Sequence, residues 1–221
     1  MAIFYGAVLG VVHYLSERLS AKGGRKLVSF SSGTFVSYLV LHLLPGLVVN
    51  DLFLTRISLV FVLIGFCLFH LIERHIYNHK KSGDLKRELK EVHSLAFFVW
   101  HFIIGVTLYF ISQDLLAGIL LFIPLVLVTA ASSISLGEIH GRIRENKFVK
   151  VFLSLSTLLG ILAAPIFSGF SINILLGLIS GALLYVVMVD SIQKERSHPA
   201  FFTLGVAVYA LVIGVTWVLR F

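Results

Sequence analysis

Residues 31–46 read SSGTFVSYLVLHLLPG, and residues 180–190 read SGALLYVVMVD. Each is an apolar run that opens on Ser-Gly and carries an ionisable group toward its end. Ser32-Gly33 is followed nine residues after the glycine by His42, and Ser180-Gly181 at the same distance by Asp190. Nine residues turn an α-helix through about 900°, half a turn net, so glycine and ionisable group face opposite sides. The glycine is predicted to pack on a neighbouring backbone, which leaves the ionisable group to a cavity.

The rest of the chain has the same character. Of its 221 residues, 58% are hydrophobic and 13% charged, whereas soluble domains run near 45–50% and about 25%. That excess does not fit inside one soluble core. A bilayer core needs roughly 20 apolar residues per helix, and eight runs are visible: 2–15, 27–48, 57–77, 95–111, 115–136, 148–167, 172–189 and 200–219. The expectation is an all-α integral membrane protein, a single polytopic domain over 1–221. Helices one to three lie at 2–77, a connector at 78–91, helices four and five at 95–136, and helices six to eight at 148–219. The first run is short and starts at the interface or continues past Ser16.

Alternation over eight spans places sixteen of the eighteen basic residues on one set of loops, with only Arg56 and Arg220 elsewhere. The positive-inside rule makes that side cytoplasmic and both termini non-cytoplasmic. The membrane expected is the plasma or cytoplasmic one. The same rule accounts for the net charge of +7, so no nucleic-acid partner is implied. The connector carries KKSGDLKRELKE, whose mixed signs suit a solvated helix or coil. The first run has no basic residues before it and no A-x-A-like site, so it reads as a mature helix. Cys67 is the single cysteine, which excludes a disulfide framework and CxxC-type metal or redox motifs.

Ionisable groups within apolar runs line cavities, pair or carry function. His42, His101, Cys67, His70 and Glu73 lie within the runs, with Glu138, His140 and Asp190 toward the inner side and Thr129, Ser132, Ser133 and Ser135 on helix five. Imidazole and carboxylate suit a borderline divalent metal, and histidine also suits proton coupling. Helix-end solvation is the alternative for Glu73, Glu138 and Asp190, interhelical hydrogen bonding for His42 and His101, and back-bonding for the serines. A membrane enzyme would need clustered acids, a His-x-x-x-His pair or a serine beside a base. The only close pairs are His70 with Glu73 and Glu138 with His140, so no enzyme is expected. The match between helices two and seven, which cross in opposite senses, suggests inverted repeats, as in many secondary transporters.

On these residues the chain resembles the ZIP family of zinc and iron permeases. Gly33, His42 and Pro45 match the family's Gly-rich second helix ending in His-Leu-x-Pro. Gly181, Leu184, Tyr185 and Asp190 match its seventh helix, Ala-Gly-x-x-Leu-Tyr ending in an acid. Span number, termini and the connector after helix three agree. The resemblance implies a 3+2+3 arrangement with inverted repeats, transport of a divalent metal of the zinc or iron class, no resident cofactor, and a homodimer in the lipid bilayer.

The family's fourth helix carries His-Asn-x-x-Asp/Glu-Gly and its fifth His-Glu-x-x-Glu. Here His101 is kept, but Phe102 and Gly105 replace the Asn and the acid. A register on His93 puts Phe97 at the acid, and Val128, Thr129 and Ser132 stand in helix five. Gly46 replaces the acid after the proline. The implied metal site is therefore altered: His42 and His101 give imidazoles, Ser132, Ser133 or Thr129 with water completes the shell, and Glu73 and Asp190 lie toward the inner side. A non-transporting partner, sensor or scaffold is the alternative.

Overall fold

The computed structural model describes residues 1–16, 21–48, 51–78, 85–140, 147–167, 172–192 and 198–219. Among them are eight helices and no strands. They are α1 (Ala2–Ser16), α2 (Ala21–Tyr38), α3 (Leu52–Asn78), α4 (Leu85–Ile111), α5 (Leu115–His140), α6 (Lys147–Ala163), α7 (Ile172–Ile192) and α8 (Pro199–Leu219). The helix α2 continues through a π-helical turn, Leu39–Leu43, into Leu44–Gly46, and α6 into a 3₁₀ turn, Ala164–Phe167.

The helix ends follow local chemistry. Oδ1 of Asp51 accepts hydrogen bonds from the N–H groups of Phe53 and Leu54, and Oδ1 of Asp114 accepts one from Ala117. Both aspartates therefore act as N-caps. Asp51 starts α3 five residues before the apolar run does and brings Arg56 into the helix. Pro199 opens α8, where its missing N–H costs nothing. The apolar pattern also underestimates α4, which begins at Leu85 within the charged connector.

Both mid-helix prolines are accommodated visibly. Pro45 lacks an N–H, and ahead of it the N–H of Leu44 reaches the carbonyl of Leu39 in π register. Pro124 leaves the carbonyl four residues back, that of Leu120, without its helical donor, and the hydroxyl of Tyr209 donates to that oxygen from α8. Tyr209→Phe is therefore expected to cost about 1 kcal/mol. The cost should shrink in a Pro124→Ala background, whose new N–H supplies the bond. A double-mutant cycle on thermal unfolding measures the difference.

Three parallel helix pairs cross in one way. A methyl added at Gly33, Gly181 or Gly105 would strike the carbonyl oxygen of Phe202, Val62 or Thr157, and crowd the amide nitrogen of Val206, Phe66 or Ile161. Three residues beyond each carbonyl is a second glycine, Gly205, Gly65 or Gly160. A methyl there would strike the carbonyl of Phe30, Leu178 or Phe102. The pairs are α2 with α8, α3 with α7 and α4 with α6, and only hydrogen at both glycines lets the backbones meet. Further contacts fix the first pair as parallel: Ser29 with His198 and Ser37 with Val206 keep the same separation, 169, as Gly33 with Phe202.

Two of these crossings correspond residue for residue. Adding 148 to Phe30 and Gly33 gives Leu178 and Gly181, and subtracting 140 from Phe202, Gly205 and Val206 gives Val62, Gly65 and Phe66. The antiparallel contact of α1 on α6 obeys the first shift as well, since Gly10 on Ser154 becomes Leu158 on Gly6, and both contacts occur. The start of α7 lies at the C-terminal ends of α4 and α6, with Leu175 in a cluster with Val106, Ala164, Phe110 and Phe167. So α7 runs against those helices.

Among the described residues, three stretches are long and apolar enough to cross a membrane: Arg25–Gly46, Leu52–Ile72 and Pro199–Leu219. The first is 56% buried and the other two 11% and 22%, so α2 is central while α3 and α8 are peripheral. Their outward faces are apolar, with Leu59, Leu63 and Leu71 exposed on α3 and Leu204, Val208, Leu211, Val215 and Val218 on α8.

Candidate functional site

On α1, Gly6, Gly10 and His13 stand at i, i+4 and i+7, one helical face. The two glycines bring that face onto α6 at Leu158 and Ser154. The close approach buries His13, which is 2% exposed, beside Ser154 at 7%. A 3.2 Å hydrogen bond joins Nδ1 of His13 to Oγ of Ser154, its donor set by the imidazole tautomer. From α4, His101, 6% exposed, stands edge-on to His13 with ring centres 5.6 Å apart and planes at 83°. Its position follows from the glycine crossing one turn further on, where Gly105 and Gly160 lock α4 to α6. Two imidazoles and a hydroxyl from three helices thus share one buried junction. Elsewhere on these helices Ser156 and Thr157 of α6 are buried, the hydroxyl of Ser156 donating to the carbonyl of Leu153, and the Oγ1 of Thr107 on α4 is buried with no hydrogen-bond partner.

A second buried polar cluster surrounds the π turn. The ring of His42 lies 5.4 Å from that of Tyr38, and Tyr38 in turn stands edge-on to Phe35 and Tyr209. His42 is partly buried and Tyr38 fully so. An i→i−5 turn widens the helix and commonly marks functional positions. Here it carries the histidine of the His-Leu-x-Pro sequence.

The residues expected to hold a metal are placed as follows. His101 is central and meets His13. His42 packs on its own helix at Tyr38. Cys67 and His70 lie exposed on α3, with His70 edge-on to Tyr185 at 5.6 Å. The backbone of Glu73, Ser132 and Asp190 is helical, but their side chains fall outside the described residues, as do those of Ser133, Ser135, Glu138 and His140. Thr129 is buried on α5. Among the described residues no three of His, Cys, Asp and Glu come together in a metal-holding group. Gly33 and Gly181 do pack on neighbouring backbones, as their spacing from His42 and Asp190 suggested.

His13 did not stand out in the sequence because it closes the shortest run. Its signal was the small-residue face Gly6, Gly10, His13, which places an imidazole where two backbones meet. Comparison with protein-family models and with curated proteins gives no match to this chain.

Proposed function

We propose that the chain is an eight-span membrane protein of ZIP-like arrangement that carries a divalent metal ion of the zinc or iron class. The observation that carries this reading is the register match of α1–α3 with α6–α8, with buried imidazoles where the halves meet. Two such halves of opposite direction are inverted repeats, the build of transporters whose sites lie between the repeats at mid-membrane. The apolar faces of α3 and α8 suit lipid, and the basic loops orient both termini away from the cytoplasm. His101 and His42 are the imidazole ligands, Ser132 contributes a hydroxyl, and Glu73 and Asp190 serve the inner part of the path. Carboxylates are required somewhere along that path, because neutral ligands alone compensate poorly for the lost hydration of a dication. The family resemblance adds a homodimer.

The second reading is a protein of the same build that does not transport. It is favoured by the missing carboxylates of helices four and five. An enzyme is not proposed. Ser154 beside His13 has the partners of a nucleophile and base, but both are buried between α1 and α6, away from any substrate carbonyl.

Uptake of zinc and of ferrous iron into liposomes containing the purified protein separates the two readings. Transport gives saturable uptake above protein-free vesicles. No uptake of either ion from folded protein favours the non-transporting reading.

A further inference from the structure

We propose that His13, His101 and Ser154 form a metal-binding site at the junction of α1, α4 and α6, in which the two imidazoles ligate one zinc-class ion and Ser154 orients His13. This site is distinct from one built between helices four and five, and it recruits a helix to which the sequence assigned no role. Its place in the fold is the first argument. At 1.5 Å per residue, His13 lies about 16 Å along α1 from Ala2, and His101 about 15 Å along α4 from Ile111. Both ends belong to the same side of the bundle in an eight-span chain, so the two rings share a depth near the middle of a ~30 Å core. The contact between α1 and α6 is also the one that the 148-residue shift maps onto itself. His13 against Ser154 becomes Ile161 against Gly6, and both pairs are in contact. The junction therefore lies where the two halves meet, and there only one of the two equivalent positions carries a histidine.

Geometry is the second argument. With metal–nitrogen bonds of about 2.0–2.1 Å, two imidazoles on one ion hold their ring centres roughly 5–6 Å apart. The observed separation is 5.6 Å. A metal-ligating histidine characteristically uses its other ring nitrogen in a hydrogen bond that fixes tautomer and orientation. Nδ1 of His13 makes such a bond with Ser154. With Nδ1–H donating, Nε2 carries the lone pair. Zinc accepts four ligands, so water or further side chains complete the shell.

The proposal rests on the metal-handling reading for the kind of ion, and the tests separate them. Zinc binding is measured on the full-length chain in detergent by competition with a chromophoric chelator, with Cys67→Ser as background. One equivalent is expected. His13→Gln and His101→Gln should each weaken it by about a hundredfold, Ser154→Ala by roughly tenfold, and His70→Ala, exposed on α3, not at all. Wild-type affinity in folded His13→Gln, or no zinc bound by the parent protein, overturns the site. If His13→Gln does not fold, His13→Cys decides. Cobalt loading then gives a thiolate charge-transfer band if position 13 ligates, and none if the residue is only structural. Binding at this pair without liposome uptake keeps the site and ends the transport reading. Uptake that survives in His13→Gln does the reverse.

Discussion

Gly181→Ala is expected to lower stability by about 3 kcal/mol, the upper range for forcing a methyl into a packed interior. The added carbon would meet the carbonyl of Val62 and the amide of Phe66, both backbone atoms that no rotamer change moves aside. For a chain of this size that is a fall in Tm of roughly 6–12 °C, read by loss of the monodisperse peak after heating in detergent. Gly33→Ala should behave alike, because it meets Phe202 and Val206 in the equivalent crossing. Gly214→Ala is the control. Nothing lies within 4 Å of the methyl it adds, so helix propensity alone acts and Tm should hold or rise slightly. Equal tolerance at positions 181 and 214 would remove the glycine crossings from the description of the fold.

Zinc uptake is expected to fall about tenfold or more in His101→Ala and to be unchanged in His70→Ala. Both are histidines within apolar runs, and composition treats them alike. Their surroundings differ: His101 is buried at the junction of three helices with a second imidazole edge-on to it, whereas His70 is exposed on α3 with the ring of Tyr185 from α7 beside it. A ring exposed on a peripheral helix is expected to take no part in a buried site. Equal loss in both variants would place the path along α3, and loss in His70→Ala alone would turn the proposed site inside out.

Much of this arrangement can be read from residues alone. The eight runs have their counterparts in eight helices because each is bounded by polar turns. Gly33 and Gly181 announced close packing through their spacing from His42 and Asp190. Their partners Gly205 and Gly65 did not, since a glycine on a peripheral apolar helix reads as unremarkable until the crossing that uses it is known. The starts of α3 and α4 lie ahead of their apolar runs for a different reason. Apolar periodicity marks where burial begins, while the helix itself begins at its cap, Asp51 for α3, and extends into the charged segment at Leu85 for α4. Among site residues, His101 was legible from its depth in an apolar run. His13 was not, because its meaning depends on α6 lying across Gly6 and Gly10, a contact between residues 141 apart in the case of His13 and Ser154.

The eight-span, inverted-repeat topology is tested most directly by the side of the membrane on which Gln113 lies, in the exposed turn between α4 and α5. Gln113→Cys, Val48→Cys and His198→Cys, each in a Cys67→Ser background, are labelled with an impermeant maleimide before and after permeabilising cells. Eight spans require Gln113 to label with Val48 from outside, and His198 only after permeabilisation. Labelling of Gln113 with His198 would mean that only Arg25–Gly46, Leu52–Ile72 and Pro199–Leu219 cross, and would dismantle both the repeat and the mid-membrane site.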